Sequence, residues 1–125
     1  MGPVQSGARK VGWMSSFSAK GLLGELEQLV LLAALRIPSN AYAVSIRDEV
    51  QARTGIALSR SSVYVTLDRL DRKGYVRSWL GDRTPERGGK AKRCFEVTAT
   101  GRHALAEAER VVGRLRLATI QRTPR

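Results

Sequence analysis

A mainly α fold with one small β-hairpin is what this sequence predicts, and three observations predict it. Residues 58–97 read LSRSSVYVTLDRLDRKGYVRSWLGDRTPERGGKAKRCFEV: an amphipathic helix, a short strand, a Gly- and Arg-rich loop and a second strand. Two stretches of helical apolar spacing precede that unit, and a third follows it. In this order the parts make a winged helix-turn-helix followed by a C-terminal dimerisation helix. The expected organisation is a flexible arm over 1–19, the winged unit over 20–98, and the dimerisation helix and tail over 99–125.

The first helix is predicted over residues 20–36, KGLLGELEQLVLLAALR. Leu22, Leu26, Leu29, Val30 and Ala33 recur at helical spacing, while Leu23, Leu31, Leu32 and Leu35 put apolar groups on the other faces. A helix apolar nearly all round is buried on more than one side. In so small a protein the second side is expected to be a partner subunit, which marks Leu22 and Leu26 as dimerisation residues.

Pro38, Ser39 and Asn40 interrupt the pattern. Residues 41–54 are predicted as a second helix, with Tyr42, Val44, Ile46 and Val50 as core positions and Gly55 as its C-terminal cap. Ile56 and Leu58 flank a tight turn. Ser59 then serves as N-cap of a third helix running from Arg60 to Lys73, because its hydroxyl can accept from the exposed amides of the first turn. Val63, Leu67 and Leu70 line the inner side, with Thr66 at the margin, and Gly74 closes the helix. Residues 75–80 and 92–97 alternate as paired strands. Thr98 caps the fourth helix, residues 99–118. Its Leu105, Ala108, Val112 and Leu115 form a stripe suited to a two-helix seam, and these four are the other dimerisation candidates.

Net charge is +11, with 22 basic and 11 acidic residues. The excess is uneven. Residues 21–58 hold three basic and four acidic side chains, or −1, whereas residues 59–98 hold ten and five, or +5. A basic helix-and-hairpin unit beside a near-neutral apolar one favours a polyanionic partner over a uniformly solvated surface.

With Val63 taken as the inward direction and about 100° per residue, Ser61, Val65, Asp68 and Arg72 point outward, with Ser62 and Arg69 on the flank. Small polar groups backed by Arg suit a helix that enters a major groove, since Ser lets the backbone come close and Arg grips guanine with two hydrogen bonds. The DNA-contact candidates on this helix are Ser59, Arg60, Ser61, Ser62, Tyr64, Val65 and Arg69. Those of the wing are Arg83, Arg87, Lys90, Lys92 and Arg93, where a basic tip can follow a phosphate track or enter a narrow minor groove. Asp68 and Asp71 run against this reading, because they repel phosphate.

Catalytic chemistry has no support: no paired carboxylates and no Ser–His or Cys–His arrangement stand out. Cys94 is alone, and His103 has no ligand partner at helical spacing, so neither a disulfide framework nor a metal site is expected. No cofactor is called for. Residues 1–20 lack the apolar run of a secretory signal, and the longest apolar run, Leu29–Leu35, is too short to span a bilayer. A cytoplasmic protein with no membrane contact is the expectation.

The segments GELEQLVLLAAL, AYAVSIRDEV, LSRSSVYVTLDRLDRKGYV and RGGKAKRCFEVTATGRHAL, in that order, resemble the PadR family of transcriptional regulators over residues 22–117. The resemblance implies a homodimeric DNA-binding repressor. It carries Tyr64 over as the recognition-helix tyrosine and Arg93 as a basic residue of the wing strand. The chain departs from the family pattern at Cys94, where an aromatic is usual, at Ser61, where Gly is common, and at Val65, where Pro is common. Some members bind planar aromatic effectors between subunits, so a small aromatic effector is a further partner the resemblance allows. That site does not carry over to named residues of this chain; for a small-molecule sensor the aromatic candidates are Trp13, Phe17 and Trp79, each of which reads first as packing or an arm anchor. The competing reading is a winged helix used as a protein–protein module without specific DNA binding.

Overall fold

The structure is a computed structural model that describes residues 22–83 and 91–122, with residues 82 and 83 described by their backbone alone. Its elements are α1 (Glu25–Arg36), β1 (Ala41–Tyr42), α2 (Ala43–Thr54), α3 (Arg60–Arg72), β2 (Val76–Arg83), β3 (Ala91–Val97) and α4 (Ala99–Arg122). The described residues fall into two compact units, 25–105 and 22–24 with 106–122. The first contains the three-helix and sheet arrangement of a winged helix. The second contains most of α4. The predicted arm, with Trp13 and Phe17, lies outside the described residues.

In the first unit α1 packs against α2, α3 and β3. Val30 and Leu31 of α1, Ile46 and Val50 of α2, Val63, Leu67 and Leu70 of α3, and Val76 and Phe95 of the sheet are buried. Each such aliphatic side chain contributes about 1.5–3 kcal/mol by leaving water. Thr66, placed at the margin by sequence, is also buried. Its hydroxyl donates to the Ser62 carbonyl at 2.8 Å, which satisfies it there.

Two expectations are corrected. The first helix begins at Glu25 rather than at residue 20, so Leu22 stands ahead of it. The second begins at Ala43, because Ala41 and Tyr42 pair with Phe95 and Cys94 of β3. The hairpin is thereby part of a three-stranded antiparallel sheet in the order β1-β3-β2. Two features turn the chain into that edge strand. Asn40 takes a left-handed conformation, φ 57°, which Asn tolerates better than most residues. Ser45 then fastens the start of α2: the Tyr42 amide donates to its Oγ at 2.9 Å, and the same hydroxyl donates to the Tyr42 carbonyl at 2.9 Å.

The helix ends follow local chemistry. Gly55 ends α2 at φ 78° and donates its amide to the Gln51 carbonyl at 2.8 Å. Gly74, φ 80°, ends α3: its amide reaches the Asp71 carbonyl at 3.0 Å, and the Tyr75 amide reaches Leu70 at 2.9 Å. That pair of bonds is the Schellman closure, which satisfies carbonyls the helix leaves open. Thr98 caps α4 by accepting from the Gly101 amide at 3.0 Å, while its own amide donates to Tyr75 O at 3.0 Å.

β2 and β3 pair from Val76↔Val97 to Leu80↔Arg93, then shift register before Arg83↔Ala91. One extra residue in β2 makes a bulge, which bends and re-aims the strand. Gly81 sits at this bulge, and a Cβ there would stand 2.8 Å from Cys94 Sγ.

Candidate nucleic-acid interface

The exposed face of α3 starts at its cap. Ser59 holds an extended backbone (φ −75°, ψ 151°), accepts the Ser62 amide at 3.0 Å and donates its hydroxyl to Ser62 Oγ at 2.9 Å. Ser61 and Ser62 remain exposed in this first turn, with the open amides of a helix N-terminus beside them. Further along, Val65, Arg69 and Arg72 are exposed on the same side. Among the described residues, the guanidinium groups of Arg60, Arg69 and Arg72 make no ion pair or hydrogen bond.

The other flank of α3 faces β3. Tyr64 meets Phe95 edge-on, with ring centroids 6.4 Å apart and planes at 82°. A recess of about 180 Å³ opens here, lined by Tyr42, Val44, Arg60, Tyr64, Lys92 and Arg93 among others, with no carboxylate among the described residues of its lining. Lys92 Nζ lies 4.2 Å from the Tyr42 ring centroid. A cation over an aromatic face is held without losing its charge, so it still attracts an anion.

Arg93 is differently engaged. Its Nη1 donates to Asp68 Oδ1 at 2.7 Å and its Nη2 to Asp71 Oδ2 at 3.0 Å. Ser78 on β2 donates to the same Asp71 oxygen at 3.1 Å. The guanidinium also lies 4.9 Å from the Phe95 centroid and 5.9 Å from that of Tyr64. The hydrogen bond to Asp68 raises its pKa above the ordinary guanidinium value, against the opposing effect of burial. Arg93 therefore offsets one of the two negative charges of Asp68 and Asp71 from the wing side.

Of the sequence candidates, Ser59, Arg60, Ser61, Ser62, Tyr64, Val65 and Arg69 gather on α3, with Lys92 and Arg93 beside them on β3. The Arg83 side chain, Arg87 and Lys90 lie outside the described residues. Two residues join the group that the sequence reading left out. Arg72 completes the outward row of α3, a position the helical period already indicates. Tyr42 supports Lys92, and only strand pairing brings those two together.

The dimerisation candidates divide by burial. Leu105 and Ala108 are buried, Leu22 and Leu26 are half-buried, and Val112 and Leu115 are exposed. Leu117 and Ile120 extend the exposed apolar surface of α4. No helix among the described residues is long and apolar enough to cross a membrane.

Residues 31–107 match the sequence profile of the transcriptional regulator PadR-like family. No curated protein is similar enough to count as a relative. Solved structures share the fold. A PadR-like transcription factor from Bacteroides fragilis has 20% identity and a TM-score of 0.66, covering 90% of this chain and 96% of its own. A transcriptional regulator from Clostridium thermocellum has 14% identity and a TM-score of 0.64, with coverage of 86% and 99%. The PcaV transcriptional regulator from Streptomyces coelicolor, in complex with its natural ligand, has 17% identity and a TM-score of 0.59, with coverage of 94% and 73%.

Proposed function

The chain belongs to the PadR-like family of transcriptional regulators, and on that premise we propose that it is a homodimeric, sequence-specific DNA-binding repressor. The observation that carries this reading is the outward face of α3. Ser61, Ser62, Val65, Arg69 and Arg72 stand exposed there, while the two carboxylates of the same helix are turned onto Arg93. A helix so arranged presents hydrogen-bond donors and small side chains to a major groove, and Arg93 offsets one of its two acidic charges where a phosphate would approach. Lys92 and Arg60, at the mouth of the recess beside the wing, suit a backbone phosphate.

The dimer reading rests on α4. Val112, Leu115, Leu117 and Ile120 are large apolar side chains exposed in a single chain. A second copy of the same helix is the partner proposed to cover them.

A second, compatible reading is control by a small ligand. A cleft of about 300 Å³ is lined by Trp79, Phe95, Arg77, Arg102 and Asn40, among others. Arg77 is paired with Glu96, and its guanidinium lies 5.0 Å from the Trp79 centroid. The guanidinium of Arg102 makes no ion pair among the described residues. An aromatic wall beside an unpaired cation suits a small aromatic acid.

The deciding experiment is a titration of duplex DNA at several salt concentrations. The logarithm of the binding constant should fall linearly with the logarithm of salt, with a slope of about −0.9 per phosphate contact. Binding that is indifferent to salt, or equal for all sequences, would favour the protein–protein module.

A further inference from the structure

Asp68 and Asp71 are one helical turn apart on the same flank of α3, where like charges repel. Arg93 spans both from the neighbouring strand, and Ser78 supports Asp71 from β2. The three elements of the reading head, α3, β2 and β3, thus meet at one guanidinium. Its strand partner in register is Leu80, the last paired rung before the bulge in β2. The planar fork can serve two carboxylates at once, whereas a lysine ammonium acts as a point charge.

A single exposed ion pair is worth little, and these side chains retain 31–44% exposure. The bridge is more than a pair, however. It has two carboxylates, a hydroxyl, and two aromatic rings under the cation. Its value lies in geometry: it fixes the attitude of α3 relative to the wing.

We propose that Arg93 is a specificity-determining positioning residue, an internal counter-ion that aligns the recognition helix with the wing. This deepens the DNA-binding reading above and rests on it. A guanidinium that already gives its Nη1 and Nη2 donors to Asp68 and Asp71 holds two acids beside any phosphate it meets, which makes it a poorer clamp than a free cation. The wing cation available to DNA at the next position is Lys92.

The test has two arms. In the free protein, nuclear magnetic resonance of the Arg93 guanidinium should show protons that exchange slowly with solvent. The double variant Asp68→Asn, Asp71→Asn should make that exchange fast. Exchange indifferent to the double variant would overturn the bridge whether or not the chain binds DNA.

The second arm compares a duplex selected by the wild-type protein from a random pool with an unselected duplex. Arg93→Gln should lower the preference for the selected duplex by about tenfold, the low end of what a lost base contact costs, with the salt slope held. Arg93→Lys should not restore the preference. Lys92→Gln should instead weaken both duplexes alike and reduce the slope by about 0.9. If Arg93→Gln behaves as Lys92→Gln does, Arg93 is a phosphate contact and the proposal fails. If the wild type selects no duplex while the bridge persists in the free protein, the DNA-binding reading fails, and the specificity role with it.

Discussion

Glu27 and Lys73 tie the first helix to the end of the third: Lys73 Nζ donates to Glu27 Oε2 at 2.7 Å, and the Glu27 side chain is only 7% exposed. Lys73 is also the C-cap of α3, where a cation favours the negative end of the helix dipole. Lys73→Met should therefore lower stability by about 1–3 kcal/mol, because a buried carboxylate loses its charged donor. Urea denaturation checks this. An unchanged midpoint would mean that the bridge contributes nothing net.

Two glycines of α4 should respond in opposite directions to the same substitution. A Cβ at Gly101 would stand 2.2 Å from Tyr75 O and 3.0 Å from Val97 Cγ1. Backbone must move to admit it, so Gly101→Ala should cost about 1–3 kcal/mol. At Gly113 a Cβ meets nothing within 4 Å, and Gly113→Ala should stabilise the helix by up to about 1 kcal/mol. Paired thermal melts give the comparison.

The outward arginines of α3 should control sequence preference. Arg69→Ala and Arg72→Ala should each reduce discrimination between the selected and an unselected duplex, by about 1–3 kcal/mol where a bidentate base contact is lost. Competition titrations at fixed salt measure it. Equal losses on both duplexes would make these residues phosphate contacts.

The exposed apolar residues of α4 should control assembly. Leu115 is 72% exposed in the single chain, so Leu115→Asp should leave the chain folded while opposing the pairing of two copies. Light scattering at micromolar concentration should read twice the 13.7 kDa chain mass for the wild type and a smaller average for the variant. A wild-type monomer would defeat the dimer reading.

Local chemistry made most element ends legible. Ser59, Gly55, Gly74 and Thr98 act within a few residues of themselves, and each closes or opens a helix as its side chain or backbone freedom dictates. The inner row of Val63, Leu67 and Leu70 follows from the helical period alone. β1 did not show itself, because two residues have no period and their partner strand lies more than fifty positions away. The start of α1 was read too early because the apolar pattern continues through Leu22 and Leu23 across Gly24, which costs a helix about 1 kcal/mol relative to Ala.

The acids of α3 were harder still. A helical wheel gives the direction of Asp68 relative to its own axis, and it was read as outward and repulsive. The wheel does not say which strand stands alongside. Arg93 is 25 residues from Asp68 in the chain, and only the packing of β3 against α3 makes it a partner.

The turn after α3 carries a consequence for how the protein opens. The Tyr75 amide is bonded to Leu70, the Thr98 amide to Tyr75, and the Gly101 amide to the Thr98 hydroxyl, while Thr98 Oγ1 also donates to Gly74 O at 2.7 Å. These donors form a chain from the end of α3 to the first turn of α4. The root of α4 is thereby tied to that turn. Its protons should exchange with those of Tyr75, as one cooperative opening with a single free energy. Any signal that loosens that root would reach the C-terminal end of α3 by the same event.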